Sequence, residues 1–164
     1  MAETACSIDP ARSGTTLSRS QAPAGHSPHL VPHLADDGEL VIDPWWGVIQ
    51  PAVLHAQIPT IGELEVIEHI EQGGVAIDTR RPEYVAESGT IPGALAIHWE
   101  EIADHLDLFA SGVVVLFCNG PQCAATPRAV ESLLKAGVAP ERIAYYRGGL
   151  QDWMSMGLPV APVD

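Results

Sequence analysis

The segment Val113-Val-Val-Leu-Phe117 runs directly into Cys118-Asn-Gly-Pro-Gln-Cys-Ala-Ala125. The apolar run is rich in β-branched residues and reads as a buried parallel strand. Thr126-Pro127 reads as a helix start, with Thr at the N-cap and Pro at the first helical position. In an open α/β sheet, ligands sit beyond the carboxyl ends of the strands. A cysteine placed there, ahead of a helix N-terminus, feels the helix dipole and the loop N–H groups, so Cys118 is expected to ionise near neutrality. The same N–H groups form a cup for a negative atom carried on that sulfur. Gly120 lets the chain curl, and Ala124 and Ala125 leave the cup open. This is the arrangement of a nucleophile that carries a charged group.

The elements that must position this loop follow from the flanking sequence. Thr60 and Glu63 have capping-box spacing, and Leu64, Ile67 and Ile70 mark a helix face that ends at Gly73-Gly74. Val75 to Asp78 is a short apolar strand. Pro82 to about Glu87 is a short helix, Ala94 to His98 a strand, and Trp99 to Leu106 an amphipathic helix. Val130, Leu133, Leu134 and Gly137 give the apolar face and the stop of the helix after the cysteine loop. Ile143 to Tyr146 is a strand, Gly148-Gly149 a turn, and Leu150 to Met156 a final helix closed by Gly157. Alternation of this kind predicts an α/β fold with a mostly parallel sheet.

The chain from about Ile58 to Pro162 resembles the rhodanese-like sulfurtransferase domain. The resemblance is carried by Ile77-Asp78-Thr-Arg80 with Glu83-Tyr84, by Thr90-Ile-Pro-Gly-Ala94, by the strand and Cys118 loop, by Tyr145-Tyr-Arg-Gly-Gly-Leu150 with Trp153, and by Gly157-Leu-Pro-Val160. It implies a three-layer α/β fold, a central parallel five-stranded sheet flanked by helices. It also implies that Cys118 is the catalytic nucleophile. Cys118 would attack a sulfane sulfur, become a persulfide and pass the sulfur to a thiol or cyanide, with loop amides holding the outer sulfur. Asn119, Gly120, Gln122, Cys123, Ala124 and Ala125 would then line the substrate site, and no cofactor or metal is expected.

The chain departs from that family in its loop. Ala124 stands where related phosphatases and arsenate reductases carry a phosphate-clamping Arg, so those activities are excluded. The loop to a cap at Thr126 is longer than the family's usual one and holds no cation; the nearest is Arg128. A persulfide, small or protein-borne, therefore suits the site better than dianionic thiosulfate. Arg147, ending the strand expected beside the Cys118 strand, either supplies the missing cation or pairs with a surface carboxylate. Cys123 either attacks the Cys118 persulfide, leaving a disulfide, or is a small semi-buried loop residue.

Other residues read as structural. Asp78 and Arg80 form a partly buried ion pair that fixes the next turn, Arg81 is solvated and Trp153 is core. His98 reads as a hydrogen-bonded surface residue. The acidic run Glu63 to Glu71 reads as a solvated helix face. His26, His29 and His33 with Cys6 match no metal-ligand spacing.

Bulk composition bounds the rest. The 164 residues carry eight Lys+Arg against 21 Asp+Glu, a net charge of −13, which excludes nucleic acid and an anionic membrane surface as partners. Hydrophobic content of 46% with only 5% aromatics requires a core of Val, Ile, Leu and Ala. Three cysteines suit a reducing compartment rather than a disulfide framework. No apolar run approaches the roughly 20 residues of a membrane span, and the start has no apolar export core, so a cytosolic protein is expected. Residues 1–38 are rich in Ser, Pro, Gly and His and read as a disordered or loosely attached tail. Residues 39–57, with Leu40, Ile42, Trp45, Trp46, Val48 and Ile49, read as an extended strap on the 58–164 domain. The competing expectation is a non-catalytic module on the same fold, for sulfur carriage, redox sensing or protein binding.

Overall fold

The structure, a computed structural model, describes residues 50–162 and the backbone of two short strands before them, β1 (His33–Leu34) and β2 (Leu40–Val41). These two pair antiparallel. The remainder of the expected tail lies outside the described residues, as do Ile42, Trp45, Trp46, Val48 and Ile49 of the expected strap.

In chain order the domain then runs β3 (Thr60–Ile61), α1 (Glu63–Glu71), β4 (Val75–Asp78), α2 (Pro82–Ser88), β5 (Leu95–Ala96), a 3₁₀ segment (Ile102–Phe109), β6 (Val114–Phe117), α3 (Ala125–Lys135), a 3₁₀ turn (Pro140–Arg142), β7 (Ile143–Tyr146) and α4 (Gly149–Ser155). The five domain strands form one sheet in the order β3-β7-β6-β4-β5, every pairing parallel. Three four-residue strands make its centre and two two-residue strands its edges. Here β6 lies between β4 and β7, so both of its edges are paired, and core clusters on either side of the sheet cover both of its faces, so that all four of its residues are buried. That double burial explains the unbroken apolar run in its sequence.

Successive strand residues point to opposite faces. Val114 and Leu116 of β6 therefore join one cluster, with Ile102, Phe109, Ala129, Val130, Leu133 and Tyr145. Val115 and Phe117 join the other, with Val66, Ala144, Tyr146, Leu150 and Trp153. The first cluster is closed by α3 and the 3₁₀ segment, the second by α1 and α4.

Several expected boundaries move. Thr60 is no helix cap: it pairs with Tyr145 in β3. The cap falls on Gly62, whose N–H donates to the Glu65 carboxylate at 3.0 Å; glycine has no side chain to return the bond, so only half of a capping box is present, two residues later than the Thr-based spacing implies. The buried residue of α1 is Val66, and Leu64 is 77% exposed. The 94–98 strand shrinks to Leu95–Ala96 at the sheet edge. The helix expected from Trp99 becomes a kinked 3₁₀ segment from Ile102, because the Trp99 N–H is held by the Thr79 carbonyl at 3.2 Å and His105 has non-helical angles. Among the described residues, no helix is long and apolar enough to cross a membrane.

Candidate functional site

The alternation that places Val114 and Leu116 on the α3 face carries Cys118 to that face as well. Cys118 is the first residue beyond β6 and only 2% exposed. A turn follows, with the Cys123 N–H donating to the Gly120 carbonyl at 3.0 Å. The N-cap of α3 is Ala124, not Thr126. The loop is therefore residues 119–123, two residues shorter than a cap at Thr126 implies. Thr126 lies inside the first turn because its hydroxyl is used elsewhere. The Thr79 hydroxyl donates to the Phe117 carbonyl at 2.9 Å and, having one proton, accepts from the Thr126 hydroxyl at 3.0 Å.

A second element fixes the loop from the opposite side. At the start of α4, the Leu150 N–H donates to the Cys118 carbonyl at 2.9 Å, and the Gln151 N–H donates to the Asn119 carbonyl at 2.8 Å. This approach needs glycine. Gly149 has φ +61, and a Cβ there would lie 2.4 Å from the Cys118 carbonyl oxygen. Sequence reasoning read Gly148-Gly149 as a turn only and left Gln151 and Thr79 unassigned. The one signal present was the double glycine directly after a strand.

The thiol chemistry differs from expectation. Helix dipole and loop amides were expected to make Cys118 acidic. Instead burial, and then the Cys123 thiol beside it, push the Cys118 thiol well up; Thr126 pulls down less strongly. Cys118 Sγ lies 3.5 Å from the Cys123 carbonyl oxygen, to which the thiol donates. Cys123, half-buried at the lip, is brought down to about 7, chiefly by the hydrogen bond from Cys118, with the Asn119 and Ala125 N–H groups adding to it. The two free thiols thus titrate as a coupled pair, with Cys118 pushed up and Cys123 brought down.

Asn119, Gln122, Ala124 and Ala125 line the rim of this loop, half-buried, while Gly120 is buried against the Gln151 side chain. Arg147 donates through Nε and Nη2 to the Gln50 carbonyl at 3.1 and 2.8 Å, and among the described residues it makes no hydrogen bond to the loop or to a carboxylate. The Gln50 N–H donates to the Pro121 carbonyl at 2.7 Å, tying that residue across the loop. Arg128 is exposed, with its guanidinium 5.1 Å from the Trp99 ring centroid. Arg80 is committed to Asp78 through Nε and Nη2, with a closest approach of 2.6 Å, and both side chains are buried more fully than the partly buried pair expected from the sequence. Among the described residues, four buried side-chain polar atoms have no partner: His98 Nε2, Gln122 Oε1, Tyr145 Oη and Gln151 Oε1. Three of them adjoin the loop. Gln122 belongs to it, Gln151 abuts Gly120, and Tyr145 lies in the field of both sulfurs. Buried polar atoms left unpaired at one place call for a partner, such as water or a polar ligand.

His98 is not the surface residue expected. It is 8% exposed, with Nδ1 3.6 Å from Glu100, and lines a cleft of about 250 Å³ with Arg80, Val85 and Glu101. Among the described residues, no cluster of His, Cys, Asp or Glu is placed to hold a metal ion. His26, His29 and Cys6 lie outside them.

A parallel sheet whose most buried strand delivers a cysteine into a tight loop at a helix N-terminus defines an α/β cysteine-loop domain. The rhodanese-like domain family matches residues 64–156, more than half of the chain, and the chain belongs to that family. An HTH-type transcriptional regulator of Mycobacterium tuberculosis is 33% identical over 135 residues, which cover 80% of this chain and 54% of that protein. The chain spans about half the length of this curated relative. Two solved structures share the fold. A thiosulfate sulfurtransferase from Pseudomonas aeruginosa matches with TM-score 0.56 and 23% identity, over 77% of this chain and 25% of that one. The rhodanese-like domain of an Anabaena protein matches with TM-score 0.51 and 23% identity, over 64% and 80%.

Proposed function

We propose that the domain is a sulfurtransferase in which Cys118 carries a sulfane sulfur as a persulfide. The observation that carries this reading is the position of Cys118, at the carboxyl end of β6 in a loop closed by α3, with unpartnered polar atoms around it. Proton transfer from Cys118 to the Cys123 thiolate frees the nucleophile. Its sulfur attacks the sulfane sulfur of a donor persulfide, the donor's S–S bond breaks, and the donor leaves as a thiolate. An acceptor thiol or cyanide then attacks the outer sulfur and returns Cys118. With Arg147 held by Gln50 and Arg128 on Trp99, no guanidinium among the described residues makes a hydrogen bond to the loop. A donor of low charge, such as a small-molecule or protein persulfide, therefore fits better than thiosulfate.

The named relative supports a second reading, a regulatory module that senses sulfur or redox state through the same loop. One experiment separates the two. Reduced protein is incubated with thiosulfate, mercaptopyruvate or glutathione persulfide, and its mass is followed. Sulfur transfer adds about 32 Da, one sulfur atom, at Cys118, and cyanide removes it. No cyanide-labile adduct on Cys118 and no released sulfide with any of the three donors, in wild type and Cys123→Ser alike, refutes the enzyme and leaves the module.

A further inference from the structure

We propose that Cys123 resolves the Cys118 persulfide, releasing hydrosulfide and closing a disulfide across the loop, so that this domain reduces sulfane sulfur instead of only passing it on. The inference rests on the sulfur-transfer reading and adds an outcome to it.

Three observations converge on the pair. First, geometry brings the two residues together across the loop. Cys118 Sγ lies 3.5 Å from the Cys123 carbonyl oxygen, and the two thiols perturb each other's ionisation in opposite directions. Both are free, and the Cys123 N–H bond to Gly120 folds residue 123 back toward the start of the loop. Second, charge on the Cys118 sulfur is opposed by burial, and among the described residues no guanidinium is hydrogen-bonded to either sulfur, which leaves loop and helix N–H groups to hold a persulfide anion. A disulfide is neutral, and hydrosulfide carries the charge away. Third, the Tyr145 hydroxyl, buried and unpartnered, stands in the field of both sulfurs.

The step balances without an added oxidant. Cys118–S–S⁻ and Cys123–SH give Cys118–S–S–Cys123 and HS⁻. The S–S bond to the outer sulfur breaks, a new one forms between the two side chains, and the Cys123 proton goes to the leaving sulfur. The sulfane sulfur is reduced to sulfide while the two thiols are oxidised. A small dithiol resets the loop and becomes its own disulfide.

The test uses the full chain, reduced and then freed of reductant, with glutathione persulfide as the probe. Free sulfide is measured, and the peptide holding both cysteines is mapped after alkylation. The wild type is expected to release about one equivalent of sulfide without added thiol, and its mapped peptide to be two hydrogens lighter with neither cysteine alkylated. Cys123→Ser and Cys123→Ala are expected to load more slowly, to keep the sulfur on Cys118, and to lose sulfide release by about tenfold or more. Wild type that holds a stable, cyanide-labile sulfur without disulfide or sulfide overturns the resolving role and leaves sulfur transfer standing. Sulfur retained in Cys118→Ser reverses the roles and overturns it too. Failure of every variant and the wild type to take up sulfur ends both readings together.

Discussion

Gly149 and Cys118 are in direct backbone apposition: a Cβ at Gly149 would lie 2.4 Å from the Cys118 carbonyl oxygen, and the next residue, Leu150, donates its N–H to that same oxygen. The start of α4 thus sets the height of the nucleophile as much as β6 does. Gly149→Ala is expected to lower stability by about 2 kcal/mol or more, combining a left-handed backbone with a backbone clash. Gly112→Ala, where nothing lies within 4 Å, is the reference and is expected to change little. Urea unfolding of both variants checks this, and equal midpoints would refute it.

Asp78 and Arg80 are buried and joined by three side-chain hydrogen bonds, and Thr90 adds a fourth to the same carboxylate at 2.7 Å. Asp78→Ala leaves the buried Arg80 charge unpaired, with hydrogen bonds only to Ser88 and the Gly89 carbonyl, and is expected to cost about 3–5 kcal/mol. The exposed Glu131–Lys135 pair makes the contrast; Lys135→Ala is expected to leave the unfolding midpoint unmoved within error. The two midpoints compared under one denaturant decide the matter.

Alkylation should report the acidity of the loop. Cys123 titrates at about 7, so its reaction with iodoacetamide is expected to rise with pH through a midpoint near neutrality, since only the thiolate reacts. In Cys123→Ser, burial still holds the Cys118 thiol up, and its alkylation is expected only well above that range. Peptide-resolved mass spectrometry across a pH series measures both. A neutral midpoint for Cys118 in the variant would show that the helix N-terminus outweighs burial after all.

Thr126 pulls the Cys118 thiol down, and its one hydroxyl proton is shared between that sulfur and the Thr79 hydroxyl 3.0 Å away. Thr126→Val keeps shape and N–H but removes the hydroxyl. It is expected to cost about 1–2 kcal/mol for the hydrogen bond lost from a buried pair and to slow sulfur loading on Cys118 at neutral pH. Unfolding and loading kinetics read the two effects separately. Loading at the wild-type rate would assign Thr126 to packing alone.

Much of the sheet was legible because its strands are marked by burial, which hydrophobic runs report directly. Val75–Asp78 and Ile143–Tyr146 match the strand limits read from sequence, and Val114–Phe117 falls one residue short of the expected run. The helix starts were less legible. A Thr followed by a Glu or a Pro resembles a cap wherever it stands, and Thr60 and Thr126 instead have their hydroxyls bonded to Ala52 and Thr79. Those partners are distant in sequence, so no local pattern announces them.

The sequence by itself determined the α/β alternation, the place of Cys118 after the most apolar strand, the absence of a cation from its loop, and the nearness of Cys123 in the chain. All of these depend on residue type and on neighbours within a few positions. Only the tertiary structure decided the acidity of the two thiols, the use of Arg147 to hold Gln50, and the seating of Gly149 under the Cys118 carbonyl. Desolvation and close approach depend on what packs against a group. Here that packing comes from elements far along the chain: β7 and α4 after the loop, and the segment at Gln50 before it.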